Sequence, residues 1–252
     1  MGATLNVAVY YIPIWFQAIK GVDAVQSGIR SIPLVLALVV ASILAGITVG
    51  RIGYYAPLMI ISSVLTPIGM GLISTFTVST GHGPWIGYQV LLGFGLGCGM
   101  QQSNMAAQTV LARRDVATGM ALMFFGQSLG GAVFISVAQN VLNGRLISNL
   151  QRLRLPGFDP RSVIYAGATD LRTLVPADEL SGLLVAYNDA LVHAFYVGVA
   201  LAALSIVGAV AMEWKSVKKA KKEQVAAAES TGPGGPGAVS YTHLTLPTKR
   251  IV

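Results

Sequence analysis

The sequence predicts an all-α membrane protein with six transmembrane helices. Three observations lead there. Only 11% of the 252 residues are charged and 54% are hydrophobic, whereas a soluble domain is about 25% charged. Six apolar stretches match, or nearly match, the roughly 20 helical residues needed to cross a hydrocarbon core. The charged residues gather in the intervals between those stretches, as in membrane proteins generally. At a mean hydropathy of +0.65, the chain cannot hide its apolar surface and still show water a polar skin. Lipid is therefore the expected solvent and the first expected partner.

The first stretch, Ala3–Ile19, is short for a span and reads as a helix entered partway along. The second is Ser31–Val49, where Ser31 followed by Pro33 gives a helix start. The third is Pro57–Phe76. The fourth is Trp85–Leu111, with Pro84 and Trp85 at its mouth, where tryptophan favours the membrane interface. The fifth is Ala117–Leu142 and the sixth Ala190–Met212. None carries Lys, Arg, Asp or Glu in its middle. The intervals are brief except Asn143–Asp189, whose balanced charges and short helical pattern at Ala177–Tyr187 predict a folded extracellular cap. Residues 1–214 thus form the six-helix domain. Residues 215–238 form a basic tail that becomes rich in Gly and Pro. Residues 239–252 (VSYTHLTLPTKRIV) resemble vector or adaptor read-through, a scar set aside from the fold.

The net charge of +7 becomes +5 without Lys249 and Arg250 of that scar. No basic stripe lies on a folded face, so nucleic acid is not an expected partner. Arg51, Arg113, Arg114 and the tail lysines fall on one side of the bilayer, Lys20, Arg30 and the arginines of the long interval on the other. The dense tail and the tight Arg113-Arg114 turn place the C-terminus, and with six spans both ends, in the cytosol. Cys98 is the one cysteine, which rules out an intramolecular disulfide and fits an inert packing role. No basic n-region follows Met1, so no signal peptide is expected. His82 and His193 are solitary, and no ligand spacing points to a metal or another cofactor.

An ordered set of motifs resembles a known family. Tyr10–Gln17, Gly21, Gln26–Pro33, Gly50–Pro57, Gly93–Gly97, Gln101–Leu111, Leu129–Gly131, Gly167-Ala168 and Met212–Trp214 resemble the second half of fungal fourteen-span drug:proton antiporters. That family belongs to the major facilitator superfamily. The resemblance runs over about Leu5–Trp214. It implies two inverted three-helix repeats, an integral plasma-membrane or vacuolar location, and export of hydrophobic drugs, toxins or secondary metabolites in exchange for protons. It also implies an N-terminal half as missing partner. Two motifs depart from the family pattern. Gly46, Gly50, Arg51 and Gly53 keep the glycines and arginine of the loop motif G-x-x-x-D-R-x-G-R but lack its aspartate. Gly126, Gly130 and Gly131 only echo the antiporter motif of a fifth helix.

Candidate site residues follow from polarity at membrane depth. Gln101, Asn104 and Gln108 fall at i, i+3 and i+7, one face of the fourth stretch. Amides in hydrocarbon need partners; they either bond neighbouring helices or line a water-filled cavity. Tyr10 and Gln17 share a face of the first stretch, and Tyr11 and Trp15 another. Phe124 and Gln127 pair on the fifth, near Met120 and Met123. Aromatic and thioether surfaces suit varied hydrophobic ligands, but they serve equally in ordinary helix packing. Glycines crowd the fourth and fifth stretches, and small residues let membrane helices approach closely; helix bending in a transport cycle is compatible with that. Gly126–Gly130 matches the hydrolase elbow G-x-S-x-G, but within an apolar helix and not at a strand–turn–helix junction, so no enzyme is expected. None of the six stretches has an interior carboxylate, so the coupling proton is expected in the missing half. The rival to a transporter half is a six-span module that binds a partner protein without transporting.

Overall fold

The computed structural model describes residues 1–112, 114–153, 163, 175–176, 179–212 and 214–218. Its helices are α1 (Gly2–Lys20), α2 (Ala24–Arg30), α3 (Ile32–Ile52), α4 (Ala56–Ile73), α5 (His82–Val110), α6 (Val116–Leu153) and α7 (Leu180–Val210). Arg113, Glu213, most of the expected cap (154–162, 164–174, 177–178) and the tail and scar from 219 onward lie outside the described residues.

Local chemistry sets several boundaries. Gly21 ends α1 in the left-handed region at φ 65°, where its N–H reaches back to Gln17 O. The Asp23 carboxylate caps α2 by accepting from the Gln26 N–H at 2.7 Å. Gly53 ends α3 at φ 84°, a conformation that excludes most side chains. Ser31 separates α2 from α3, ahead of Pro33, which brings no N–H to the first turn.

The core forms where α1, α4, α6 and α7 meet. Val7, Tyr11, Trp15 and Phe16 of α1 pack against Leu142 and Leu146 of α6 and Leu191 and Phe195 of α7, with Phe76 from the turn after α4. The indole Nε1 of Trp15 donates to Asn188 Oδ1 at 2.8 Å, and Asn188 Nδ2 donates to Phe76 O at 2.9 Å, so one buried amide bonds three segments. Tyr11 donates its hydroxyl to Gln139 Oε1 at 3.1 Å.

α5 is wedged between α3 and α4, and its glycine run explains how. Gly93 and Gly97, one turn apart, face α3; a methyl at either would collide with the Leu34 or Leu38 carbonyl. Gly95 and Gly99 face α4, where a methyl would strike Thr66 or Ser62. Ser62 Oγ donates to Gly95 O at 2.6 Å and Ser42 Oγ to Gly97 O at 3.2 Å. The alternate spacing thus gives one helix two close-packed faces.

Two expected boundaries differ. The fifth span continues past Leu142 to Leu153, about 57 Å of helix, because Leu142, Leu146 and Leu150 extend one buried stripe along α7. The helical pattern at Ala177–Tyr187 is not a separate piece of cap: from Leu180 it is the opening of α7 itself. Among the described residues four segments are long and apolar enough to cross a membrane, namely Ala24–Ile52, Ala56–Ile73, Val116–Leu153 and Leu180–Val210. α1 and α5, expected as spans, fall short by composition, because each interrupts its apolar run with amides, hydroxyls or glycines.

Candidate functional site

A hollow of about 340 Å3 opens between α4, α5, α6 and α7, lined by Met59, Met100, Asn104, Met123, Gln127 and Met212. Two more hollows continue it along α6. One of about 410 Å3 shares Met123 and Met212 and is otherwise apolar, with Val110, Leu111 and Leu122. The other, of about 460 Å3, shares Gln127 and adds Phe124 and Ser128 of α6 and Asn6 of α1. The space exists because the first half of α6 stands away from α5. Its buried positions begin only at Gly131, and Leu122, Phe124, Phe125 and Leu129 are left uncovered by the chain.

Of the residues singled out by sequence, this arrangement unites three. Asn104 and Gln127 face the first hollow together, and Phe124 and Gln127 face the adjoining one. Gln108 Nε2 approaches Met120 Sδ at 3.7 Å beside them. Tyr10 is exposed on α1 one turn from Asn6, its ring edge-on to Tyr11. Three others lie elsewhere. Trp15 is fully buried and bonded to Asn188. Gln17 donates to Ser27 Oγ at 3.1 Å, tying α1 to α2. Gln101 is exposed on α5 and lines none of these hollows.

The glycines divide in the same way. Gly131 packs on Asn6, but Gly46, Gly50 and Gly126 have nothing within 4 Å of an added methyl, and Gly130 meets only Ala3 at 3.8 Å. Gly53 supports the turn after Arg51. The G-x-S-x-G segment lies inside continuous α6.

Sequence reasoning missed Met59, Met100 and Met212. Methionines on separate helices leave no spacing signal, and only folding brings them together. It also missed Gln102, next to Gln101, which is fully buried with neither amide atom partnered among the described residues. What the arrangement offers chemically is a soft, deformable apolar surface with two amides to orient a ligand.

No protein-family profile matches the chain. Individual relatives do. The MFS-type efflux pump MFS1 of Trichophyton rubrum is 55% identical over 227 residues, which is 90% of this chain and 42% of that protein. The efflux pump roqT of Penicillium rubens is 50% identical over 220 residues, 86% of this chain and 41% of its own length. The efflux pump aflT of Aspergillus parasiticus is 47% identical over 219 residues, 87% of this chain and 43% of its own length. The chain spans about two fifths of the length of the curated relatives it matches. With such identities over nearly its whole length, and with helices built for lipid, this chain belongs to the major facilitator superfamily as an integral membrane segment.

Proposed function

We propose that the chain is the C-terminal half of a proton-coupled efflux pump that exports hydrophobic drugs, toxins or secondary metabolites. The observation that carries this is the hollow lined by methionines and amides beside a length of α6 that the chain leaves uncovered. An N-terminal half covering that side would close the hollow into a central cavity, and the two halves would rock about the substrate. The names of the relatives support export, and the absence of interior carboxylates from the apolar stretches supports a coupling proton carried by the other half.

The packing of α1 and α5 against their neighbours supports six spans arranged as two inverted repeats. Exchanging α1 with α5, α3 with α6 and α4 with α7 turns the α3–α5 contact into α6–α1 and the α4–α5 contact into α7–α1, and all four contacts occur. The α4–α7 contact maps onto itself. In this reading α1 and α5 are spans shielded by their neighbours, which explains their lower apolarity. The C-terminus lies in the cytosol of a plasma-membrane or vacuolar pump.

The test is export of a hydrophobic fluorescent dye by cells making the complete polypeptide. Gln127→Ala and Asn104→Ala are each expected to cut export about tenfold at unchanged protein level in the membrane. Gln101→Ala is expected to leave it unchanged. Equal loss in all three would remove the cavity from the account. The rival reading, a partner-binding module, uses the same uncovered face and predicts no export by the complete polypeptide.

A further inference from the structure

The end of the molecule that holds Arg51 carries a feature that neither the helix packing nor the cavity uses. After α7, residues 214–218 cross the α3–α4 turn and pair with it. Ser216 forms an antiparallel bridge with Tyr54, and the Val217 N–H donates to Gly53 O at 2.8 Å. The Lys218 ammonium bonds the Arg51 carbonyl, and its stem lies over Gly53, 3.1 Å from where a Cβ would stand. Val217 completes a small apolar cluster with Val49, Tyr55, Ala56 and Ala106, so the crossing joins the ends of α3, α4, α5 and α7. It is a main-chain clasp with its own packing.

The clasp fixes charge in place. It sets Lys218 beside Arg51, at the end of the molecule that also holds Arg114 and Lys215. Among the described residues of this end the one carboxylate is Asp115, 3.5 Å from Arg114. Trp214, Tyr54 and Ile52 stand exposed around these cations. Cations with exposed aromatic and aliphatic side chains at the ends of spanning helices match the headgroup layer, where indole and phenol rings settle and anionic lipid attracts basic side chains. A soluble acidic partner would have no use for the aliphatic and indole surface at that depth.

We propose that this clasp is a binding surface for anionic phospholipid headgroups of the leaflet it faces, and that headgroup binding holds it shut. The inference needs only the membrane placement of the helices and not the export reading.

The test is hydrogen exchange of the 214–218 and 53–56 amides of the full chain in nanodiscs of phosphatidylcholine alone and with phosphatidylserine added. Phosphatidylserine is expected to slow exchange in both segments, and added salt to reverse this. Lys215→Gln and Lys218→Gln are each expected to lower the response about fivefold. Lys20→Gln, at the opposite end, keeps it. Val217→Pro, which lacks the donor N–H, speeds exchange at 53–56 in both lipids. Equal exchange in the two lipids, or an undiminished response in the lysine variants, overturns the proposal. So does inorganic phosphate reproducing the effect in phosphatidylcholine discs, because the surface would then take a free anion and not lipid.

Discussion

Asn188 ties three segments of the fold together through one buried side chain. It accepts from the Trp15 indole and donates to the Phe76 carbonyl, both in surroundings that exclude water. Asn188→Leu is expected to lower stability by about 2 kcal/mol, because two buried polar groups lose their partner at once; thermal unfolding in detergent reads this. Glycines make a sharper contrast. Gly97→Ala is expected to cost about 1–3 kcal/mol by overpacking against α3. Gly126→Ala meets open space and is expected to leave this chain's stability unchanged, and under the proposed function to impair export by the complete polypeptide. Lys20 gives a pH test. Burial, and after it the Arg30 guanidinium, holds its ammonium below the ordinary lysine range. The folded chain therefore binds that proton less readily than the unfolded chain. Stability rises with pH between the lowered value and the ordinary one near about 10.4. Arg30→Gln is expected to move Lys20 part of the way back, seen by 15N NMR titration of its side chain.

At the scale of elements, what the sequence predicts and what it misses have separate causes. The longer helices and most of their ends were readable because apolar length, glycine and proline act locally, but α2 and its Asp23 cap were not, since seven residues between two apolar stretches read as a loop. The glycine run of α5 was readable as packing, but its division between two neighbours was not. On α5 the structure leaves Gln101 exposed and buries Gln102, which the sequence reading did not single out. A helix with small or apolar residues nearly all round carries little rotational signal, so Asn104 reached the hollow while Gln101 did not. Trp15 was readable as an aromatic near the interior, yet only the fold shows that its N–H is already engaged. The length of α6 was missed because Arg145 and Arg152 look like a loop. They ride outside a stripe whose inward positions are Leu142, Leu146 and Leu150. That stripe predicts a graded response. Leu150→Ala is expected to cost about 2–5 kcal/mol by opening a cavity against α7. Phe125→Ala, on the uncovered half of the same helix, is expected to change unfolding by less than about 0.5 kcal/mol.

For the whole molecule, the uncovered half of α6, the open glycines Gly46, Gly50 and Gly126, and the cavity share one explanation. In the proposed function an N-terminal half covers them, and the chain aligns with about two fifths of the length of its relatives. Composition alone made the membrane setting legible, and the ordered motifs made the family legible. The cavity was not legible, since its methionines come from helices far apart in sequence. The measurement that tests the central claim most directly is dye export into proteoliposomes under an imposed proton gradient, comparing the complete polypeptide with this chain alone. The account predicts uphill, gradient-dependent transport by the complete polypeptide and none by the chain alone. Uphill transport by the chain alone, or none by the complete polypeptide, would contradict it.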